Sequence, residues 1–414
     1  MKVNWSLLEN IGSLLTVKGL QYILSFITLP YLVRVLHVDG FGQLAFATGV
    51  VQYFLLFSNF GFDLSGPKSI ARHDRGPKRG FYFSSIMGAK LFILAVITAV
   101  FGILMFILSN WFNYNALLYG AVYLNVIGTA LFPIWFFQGI QKMRYITFVS
   151  ILGRIVSVAG IFIFVNTLDD IVWAAFFQSI TNVIAAVFSW IIIYKEYPDI
   201  LMRIKWCHIK DAIKDSVPYF GSMVAINLYT SSTIVFLGLV TSDYVVGIYT
   251  AANRIIDAFR GGLSPVVDAL YPFVNKIAKE SKERAQSVLR KATIILCSGT
   301  SLLCIGIFIT AKWLVYYILG PSYEESVSVL QILAFLPLVV ITSNIYGLFG
   351  MISFGHQKEF VTILVHSAIL DLCIVFPLLY YMGADGAAVT MLLTEIYVLY
   401  RCIKFVNASD FRFL

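Results

Sequence analysis

Residues 29–47 read LPYLVRVLHVDGFGQLAFA, an apolar segment that carries Pro30 and Arg34, breaks at DGFG and then resumes. Two apolar stretches on either side of a short polar break are typical of neighbouring membrane-crossing helices. We interpret the DGFG glycines as the residues that let the chain reverse between them. Pro30 can bend the first helix, and Arg34 is placed to reach the interface on the outer side of the membrane that this helix crosses.

The composition extends this interpretation to the whole chain. Of 414 residues, 59% are hydrophobic and only 13% are charged, against about 25% charged in soluble domains. The first ten residues are polar and lead into a segment too long for the apolar core of a signal peptide. We therefore expect an all-α polytopic membrane protein that is inserted without cleavage.

Twelve segments have the length and apolarity of a spanning helix. They are 11–36, 41–65, 81–108, 115–138, 146–165, 171–194, 216–239, 245–272, 292–319, 326–353, 361–380 and 385–406. Of the 30 Lys and Arg residues, 23 lie after even-numbered segments or at the termini, where we include Arg401 and Lys404 at the end of the last segment; the other seven lie inside segments, and none follows an odd-numbered one. Because cytoplasmic loops retain positive residues, both termini are predicted to be cytoplasmic. This topology explains the net charge of +8, so a nucleic-acid partner is not required.

The chain also repeats itself at half its length. GIQK at 139–142 matches GHQK at 355–358, and DGFGQLAFA matches DYVVGIYTAA with Gly42 opposite Gly247. Parallel repeats of this kind are known in transporters. We predict an N-lobe over 1–194, a cytoplasmic linker over 195–215 and a C-lobe over 216–414, with six helices in each lobe.

Several predicted helices carry a polar stripe, the clearest being the eighth. On a helical wheel with 3.6 residues per turn, its polar residues fall within one sector of about 120°. They are Thr250, Asn253, Arg254, Asp257, Arg260, Ser264, Asp268 and Tyr271. Smaller stripes occur on helices one, two, five and seven. Their members are Asn10, Lys18, Gln21, Ser25 and Thr28; Thr48, Gln52, Asn59 and Asp63; Thr147, Ser150, Arg154 and Ser157; and a broader set that includes Asn227. Polar side chains in hydrocarbon face protein or a water-filled cavity, so these faces are predicted to line one.

Basic residues outnumber acidic ones inside the predicted helices. The basic set is Lys18, Lys90, Arg154, Arg254, Arg260, Arg34 and Lys312, and the acidic set at similar depth is Asp257, Asp268, Asp371 and Glu395. Some of these have structural explanations: Arg34 and Lys312 can reach the interface, Asp257 can pair with Arg254 or Arg260, and Asp371 and Glu395 can bond between helices. A buried excess of cations still favours an anionic ligand, and phosphate suits arginine best.

Other chemistry is not indicated. The five cysteines form neither a CxxC pair nor a cluster with histidine, and no Ser/His/Asp, HExxH or Walker pattern is present. We therefore expect no disulfide framework, no metal, no organic cofactor and no enzyme.

Three stretches carry a family resemblance: LPYLVRVLHVDGFGQLAFA, FPIWFFQGIQKMRYIT and GIYTAANRIIDAFRGGLSPVVDALYP. They resemble the Wzx-type O-antigen flippases of the multidrug/oligosaccharidyl-lipid/polysaccharide exporter superfamily. The resemblance implies a V-shaped, MATE-like fold of two lobes around a central cavity, in the bacterial inner membrane. It further implies alternating-access flipping of undecaprenyl-pyrophosphate-linked oligosaccharide to the periplasmic leaflet, coupled to H⁺, Na⁺ or the membrane potential. The expected partners are that lipid, the bilayer, an O-antigen polymerase and a chain-length regulator, and the expected state is a monomer.

Combining this resemblance with the helical stripes gives candidate roles. For the pyrophosphate they are Arg254, Arg260, Lys18, Lys90 and Arg154; for the sugar and cavity lining, Gln21, Gln52, Asn59, Asn227, Asn253 and Tyr271; for ion coupling, Asp257, Asp268, Asp371 and Glu395.

Alternatives remain open at this stage. A flippase for lipid II, a teichoic-acid precursor or a capsule precursor would need the same phosphate chemistry. A MATE-type drug or cation antiporter is disfavoured because the excess charge is basic. A membrane-embedded polysaccharide ligase or polymerase is disfavoured because every predicted outer loop is short.

Overall fold

The computed structural model describes residues 19, 24–72, 77–112, 115–230 and 232–409, and in this part of the chain the regular structure is entirely helical. We number the α-helices in chain order. They are α1 Leu24–Val35, α2 His37–Asn59, α3 Phe62–Ala71, α4 Pro77–Phe112, α5 Ala116–Leu131, α6 Ile134–Gly139, α7 Met143–Phe164, α8 Ile171–Glu196, α9 Trp206–Thr230, α10 Ser232–Val240, α11 Asp243–Glu280, α12 Lys282–Leu314, α13 Ser326–Leu333, α14 Leu336–Asn344 and α15 Gln357–Asn407. Two π-helices, Val315–Leu319 and Ile345–Met351, extend α12 and α14.

The predicted membrane fold is confirmed: in the described part, eight helical spans are long and apolar enough to cross a bilayer. The polar-striped α11 is not among the eight. The count of twelve spans and the cytoplasmic placement of the termini stay predictions. Short polar side chains cap the N-termini of α5 and α12. Asn115 accepts a hydrogen bond from the Leu118 amide at 3.2 Å, and Ser281 accepts one from the Arg284 amide at 3.3 Å. These bonds satisfy backbone amides that have no partner within the helix.

Helix α15 contains two of the predicted segments. Gly383 has φ +53° and ψ −122°, a conformation outside the helical region, and it falls between the predicted segments 361–380 and 385–406. The hydroxyl of Thr394 donates to Asp371 Oδ1 at 2.9 Å, so the two arms lie side by side. A glycine at this position permits the positive φ that a side chain would strain.

Contacts divide the chain into two compact units. The first contains the described residues up to Leu36 and Ala47–Val224, and the second contains His37–Phe46 and the residues from Ala225 onward. Helices α2 and α9 therefore each contribute to both units. The predicted lobe boundaries stay predictions, but the predicted linker is not all loop, because α9 begins at Trp206.

Each unit has its own apolar core. In the first, aromatic side chains of α4 and α6 meet, with Phe83 against Phe136 at 5.0 Å between ring centroids and Trp135 fully buried. In the second, Val274, Leu289 and Phe349 are fully buried together. These cores hold the helices that carry the polar stripes.

The interpretation of DGFG as a reversal is wrong. Both glycines lie inside α2, and the break from α1 falls at Leu36 and His37, where His37 has φ +53°. The phenol of Tyr323 donates to the His37 carbonyl at 3.1 Å, which anchors this residue. Glycine has two uses, tight turns and close backbone approach, and the sequence alone did not distinguish them.

Gly42 is required for close approach between helices. A Cβ atom built on Gly42 would lie 1.8 Å from the carbonyl oxygen of Asp243, and one on Gly247 would lie 2.2 Å from the carbonyl oxygen of Val38. The two glycines matched by the repeat are therefore on the contacting faces of α2 and α11.

The helix ends at the two GxQK stretches have the same backbone geometry, but two residues out of the register of the sequence match. The amides of Gln141 and Lys142 donate to the Gln138 and Phe137 carbonyls, at 3.1 and 3.0 Å. In the second half, the amides of Gly355 and His356 donate to the Ile352 and Met351 carbonyls, at 3.1 and 2.9 Å. Gln141 and Gly355 both have positive φ, so both halves use the same Schellman-type helix end, although the sequence repeat matches Gly355 with Gly139 and Gln141 with Gln357.

Lys142, which lies between two apolar spans, ties this helix end to α8. Its ammonium donates to Glu196 Oε2 at 3.1 Å and lies 5.2 Å from the ring centroid of Tyr197. Hydrogen bonding to Tyr197, and then to Glu196, raises the pKa of Lys142. Tyr145 donates a further hydrogen bond to Glu196.

Candidate functional site

Helix α11 presents its polar stripe on one side and packs with the other. Ala251, Ala252, Ile255 and Ile256 are fully buried, whereas Arg254 is exposed. Other stripe members are partly buried, namely Asn253, Asp257, Arg260, Ser264 and Tyr271. Thr250 departs from the prediction, because it is buried and its hydroxyl has no hydrogen-bond partner among the described residues.

Asp257 organises the middle of the stripe. Its Oδ2 accepts a hydrogen bond from the Asn253 amide at 3.2 Å, and its Oδ1 lies 3.4 Å from Arg260 Nη1. This pair is only partly shielded, since the side chains of Arg260 and Asp257 are 30% and 41% exposed. Arg254, one turn before, extends into more open space.

The two arms of α15 bring further carboxylates to the same unit. Asp371 and Glu395 are both buried, at 1% and 9% exposure. Thr394 bonds one oxygen of Asp371, while Asp371 Oδ2 has no hydrogen-bond partner in the described part of the chain. The ring of Tyr249 is also fully buried in this unit. Buried carboxylates with spare acceptor capacity are suited to taking up a proton or a small cation.

A second polar cluster, which we call the Lys90 cluster, lies in the first unit and consists of Asp63 and Lys90. Lys90 is 1% exposed, and its Nζ lies 3.9 Å from Asp63 Oδ1. Neither of these atoms, nor Asn59 Oδ1, has a hydrogen-bond partner among the described residues. Among the described residues, Lys90 is thus enclosed beside one carboxylate, that of Asp63.

The Lys90 cluster depends on a break that was not predicted. The segment 41–65 was expected to be one helix, but Phe60 and Gly61 have φ +41° and +78° and separate α2 from α3. Asp63 therefore begins a new helix and does not continue the stripe of Gln52 and Asn59. The break is covered by α9, because a Cβ on Gly61 would lie 2.9 Å from the amide nitrogen of Phe220.

We expect Asp63→Asn to lower the free energy of unfolding by about 3 kcal/mol, because it removes the carboxylate that lies beside a buried ammonium. The double variant Asp63→Asn with Lys90→Met should recover most of that loss, since it removes the buried charge as well. Unfolding by sodium dodecyl sulfate in mixed micelles measures both.

The matched control is Asp169→Asn, a change at an exposed aspartate, which should leave stability within about 0.5 kcal/mol. A double variant as unstable as Asp63→Asn alone would contradict the pairing.

The remaining predicted residues are distributed over both units. Arg154 donates a hydrogen bond to Ser25, and Tyr271 stacks on Phe349 with ring centroids 6.2 Å apart. Gln52 and Asn227 are partly buried. Lys18 and Gln21 lie outside the described residues, as does the side chain of Asp268.

Contacts that α9 makes with α3 and with the residue before the break at Gly61 were not predictable from the sequence pattern. Ser65 and Ser216 share a hydrogen bond of 2.8 Å between their hydroxyls, and Phe60 stacks on Phe220 at 4.4 Å. Lys68 Nζ lies 3.5 Å from the phenol of Tyr219. The glycine in NFGFD was the available signal for a helix break.

The chain is similar to two curated relatives over nearly its whole length. It is 32% identical over 403 residues to a candidate O-antigen transporter of Escherichia coli strain K12, covering 97% of each chain. It is 28% identical over 401 residues to one of Shigella dysenteriae, covering 96% of this chain and 100% of the relative. A family model described as polysaccharide biosynthesis protein matches residues 7–278.

Solved structures share the fold. The lipid II flippase MurJ in an inward closed conformation matches with a TM-score of 0.73 at 13% identity, covering 95% of this chain and 87% of that one. An inward-facing multidrug resistance MATE family transporter of the MOP superfamily matches with a TM-score of 0.65 at 14% identity, over 97% and 95% of the two chains. The predicted MATE-like fold class is confirmed.

Proposed function

Because this chain belongs to the polysaccharide biosynthesis protein family, we propose that it flips undecaprenyl-pyrophosphate-linked O-antigen repeat units from the cytoplasmic to the periplasmic leaflet of the inner membrane. It is a multi-pass membrane protein, and its full-length relatives are named for O-antigen transport. On this proposal it is a secondary transporter and not an enzyme.

The observation that carries the proposal is the polar stripe of α11. One face of this helix is packed in the core while the other presents Arg254, in the open, and Arg260, partly open. A lipid-linked oligosaccharide needs cationic groups for its pyrophosphate and none for its polyprenyl tail, which can stay in the bilayer. Arginine binds phosphate oxygens through two parallel hydrogen bonds, so this face suits a phosphorylated lipid better than an organic cation.

The other proposed phosphate ligands are Lys18, Lys90 and Arg154. Lys90 is enclosed beside Asp63, so it would have to exchange that carboxylate for the substrate during the transport cycle. The proposed sugar contacts are Gln21, Gln52, Asn59, Asn227, Asn253 and Tyr271, whose amides and phenol can bond hydroxyl groups.

Coupling is proposed to use the carboxylates of the second unit. Asp371 and Glu395 are buried, Asp257 is paired with Arg260, and Asp268 is on the same helix as that pair. Uptake of H⁺ or Na⁺ would neutralise negative charge near Arg260 and so change how strongly Arg260 binds the substrate phosphate. In this way an ion gradient could drive substrate release during alternating access. We propose that the transporter works as a monomer. An O-antigen polymerase and a chain-length regulator would then use the flipped product.

The test is flipping in proteoliposomes by the purified full-length protein. The labelled probe is undecaprenyl-pyrophosphate oligosaccharide, and its sugar is detected by a membrane-impermeant oxidant. We expect protein-dependent flipping that changes when the pH or sodium gradient is reversed. Lipid II and a fluorescent organic cation provide comparison substrates.

The control substrate is the same oligosaccharide on a polyprenyl chain without phosphate, which should flip no faster than in protein-free vesicles. Transport of the organic cation without flipping of the pyrophosphate lipid would overturn the proposal.

A further inference from the structure

A pocket of about 560 Å³ opens where α12 ends, in the second unit. Its lining comes from the last turn of α12, the following π-helix, the turn after it and the start of α13, and it includes Lys312, Trp313, Tyr316, Tyr317, Gly320 and Glu324. Its volume is within the range of small-ligand sites, about 300–1,000 Å³. The positive-residue pattern of the sequence predicts that this end of α12 lies on the outer side of the membrane.

The pocket is held open by its backbone. Gly320 has φ +102°, and its amide donates to the Val315 carbonyl at 3.0 Å, which closes the π-helix. The amide of Tyr323 then donates to the Gly320 carbonyl at 3.2 Å. Because the Tyr323 ring is buried and its phenol is bonded to the His37 carbonyl, this wall of the pocket is fixed.

The pocket has one charge of each sign. Lys312 and Glu324 are exposed side chains that line the same space, yet they are not among the ion pairs within 4.0 Å formed by described residues. An opposite pair that shares a pocket without touching leaves room for a ligand that carries both charges.

Aromatic rings complete the site. Trp313, Tyr316 and Tyr317 are 65%, 59% and 63% exposed, and the Trp313 and Tyr317 rings stack at 6.1 Å. Tryptophan and tyrosine are enriched at the level of lipid headgroups, and their faces attract ammonium groups. The surroundings therefore favour a membrane lipid over a water-soluble ligand.

We propose that this pocket binds the headgroup of a zwitterionic aminophospholipid of the surrounding bilayer. The phosphate accepts hydrogen bonds from Lys312, the primary ammonium donates to Glu324, and the acyl chains lie along the apolar outer surface of α12. Phosphatidylethanolamine has this chemistry. An anionic lipid is a poorer match, because Glu324 would face a headgroup that has no positive charge.

A second groove supplies the matched control. Trp190, Tyr194 and Lys195 line an apolar groove of about 510 Å³ at the end of α8. It has aromatic rings and a lysine but no carboxylate, so it lacks the feature on which selectivity for a zwitterion depends.

The experiment is native mass spectrometry of the full-length protein, titrated in detergent with phosphatidylethanolamine, phosphatidylcholine or phosphatidylglycerol. We expect the ethanolamine lipid to bind tightest. Lys312→Met and Glu324→Gln should each weaken it about fivefold, as expected for loss of one exposed charge-assisted contact. Glu324→Gln should also reduce the difference in affinity between phosphatidylethanolamine and phosphatidylglycerol. Lys195→Met should leave all these affinities unchanged.

Both changed side chains are exposed, so the variants are expected to elute and unfold like the wild type. Unchanged binding of phosphatidylethanolamine in both variants would overturn the proposal. Equal affinity of the wild type for phosphatidylglycerol, or an equal loss in Lys195→Met, would do so too.

Discussion

Gly42→Ala is expected to lower the free energy of unfolding by about 3 kcal/mol or more, the upper end of the usual range for overpacking. A Cβ on Gly42 would lie 1.8 Å from the carbonyl oxygen of Asp243 and 2.9 Å from the amide nitrogen of Gly247. Both atoms belong to the backbone of α11, so no rotamer change relieves the overlap. The start of α2 must instead move away from α11. Denaturation by sodium dodecyl sulfate in mixed micelles, followed by circular dichroism, measures the loss.

Gly102→Ala provides the matched control in α4, where a Cβ would meet nothing within 4 Å. The same change there should leave stability unchanged or raise it by about 0.5–1 kcal/mol, because alanine loses less backbone entropy on folding. Gly247→Ala meets the carbonyl oxygen of Val38 at 2.2 Å and should be as harmful as Gly42→Ala. A single movement of α2 away from α11 makes room for both methyl groups. The double variant should therefore lose less unfolding free energy than the two single variants together. Equal unfolding of Gly42→Ala and Gly102→Ala would contradict this account.

These glycines show what the sequence could and could not predict about the fold. The repeat singled out Gly42 and Gly247, which lie on the contacting faces of α2 and α11, and the gap between the predicted segments 361–380 and 385–406 contains the bend at Gly383. The role given to DGFG was wrong, because a glycine in a turn and a glycine in a helix crossing look alike until the partner helix is known. The partner of Gly42 lies about 200 residues away, beyond any local pattern.

The candidate site divides in the same way. The stripe of α11 was predictable because a long regular helix obeys one period, and its packed face is buried as the period requires. Lys90 was identified as an intramembrane cation, but its contact with Asp63 was not, because the break at Gly61 sets where Asp63 points. The hydrogen-bond partner of Asp371 could not be identified from the sequence, because it depends on the antiparallel packing of the two arms of α15, which brings the Thr394 hydroxyl to Asp371.

The double variant Arg254→Ala with Arg260→Ala is expected to reduce flipping of undecaprenyl-pyrophosphate oligosaccharide to the rate of protein-free vesicles. Each arginine can supply two charge-assisted hydrogen bonds to a phosphate, and loss of both leaves the open face of α11 without a cation among its described stripe residues. The fold should survive. Arg254 is exposed, and the Arg260–Asp257 pair is solvent-accessible on both sides, so its loss should cost no more than about 1 kcal/mol.

Two comparisons separate phosphate recognition from a general effect of charge. Arg284→Ala with Arg290→Ala removes two exposed arginines from α12 and should leave flipping unchanged. Arg254→Lys with Arg260→Lys keeps both charges but not the planar fork, so it should retain only part of the rate. If the alanine double variant folds and still flips the lipid at the wild-type rate, the assignment to α11 is wrong. If the lysine variant flips as fast as wild type, the site needs positive charge alone, and the bidentate geometry of arginine has no part in recognition.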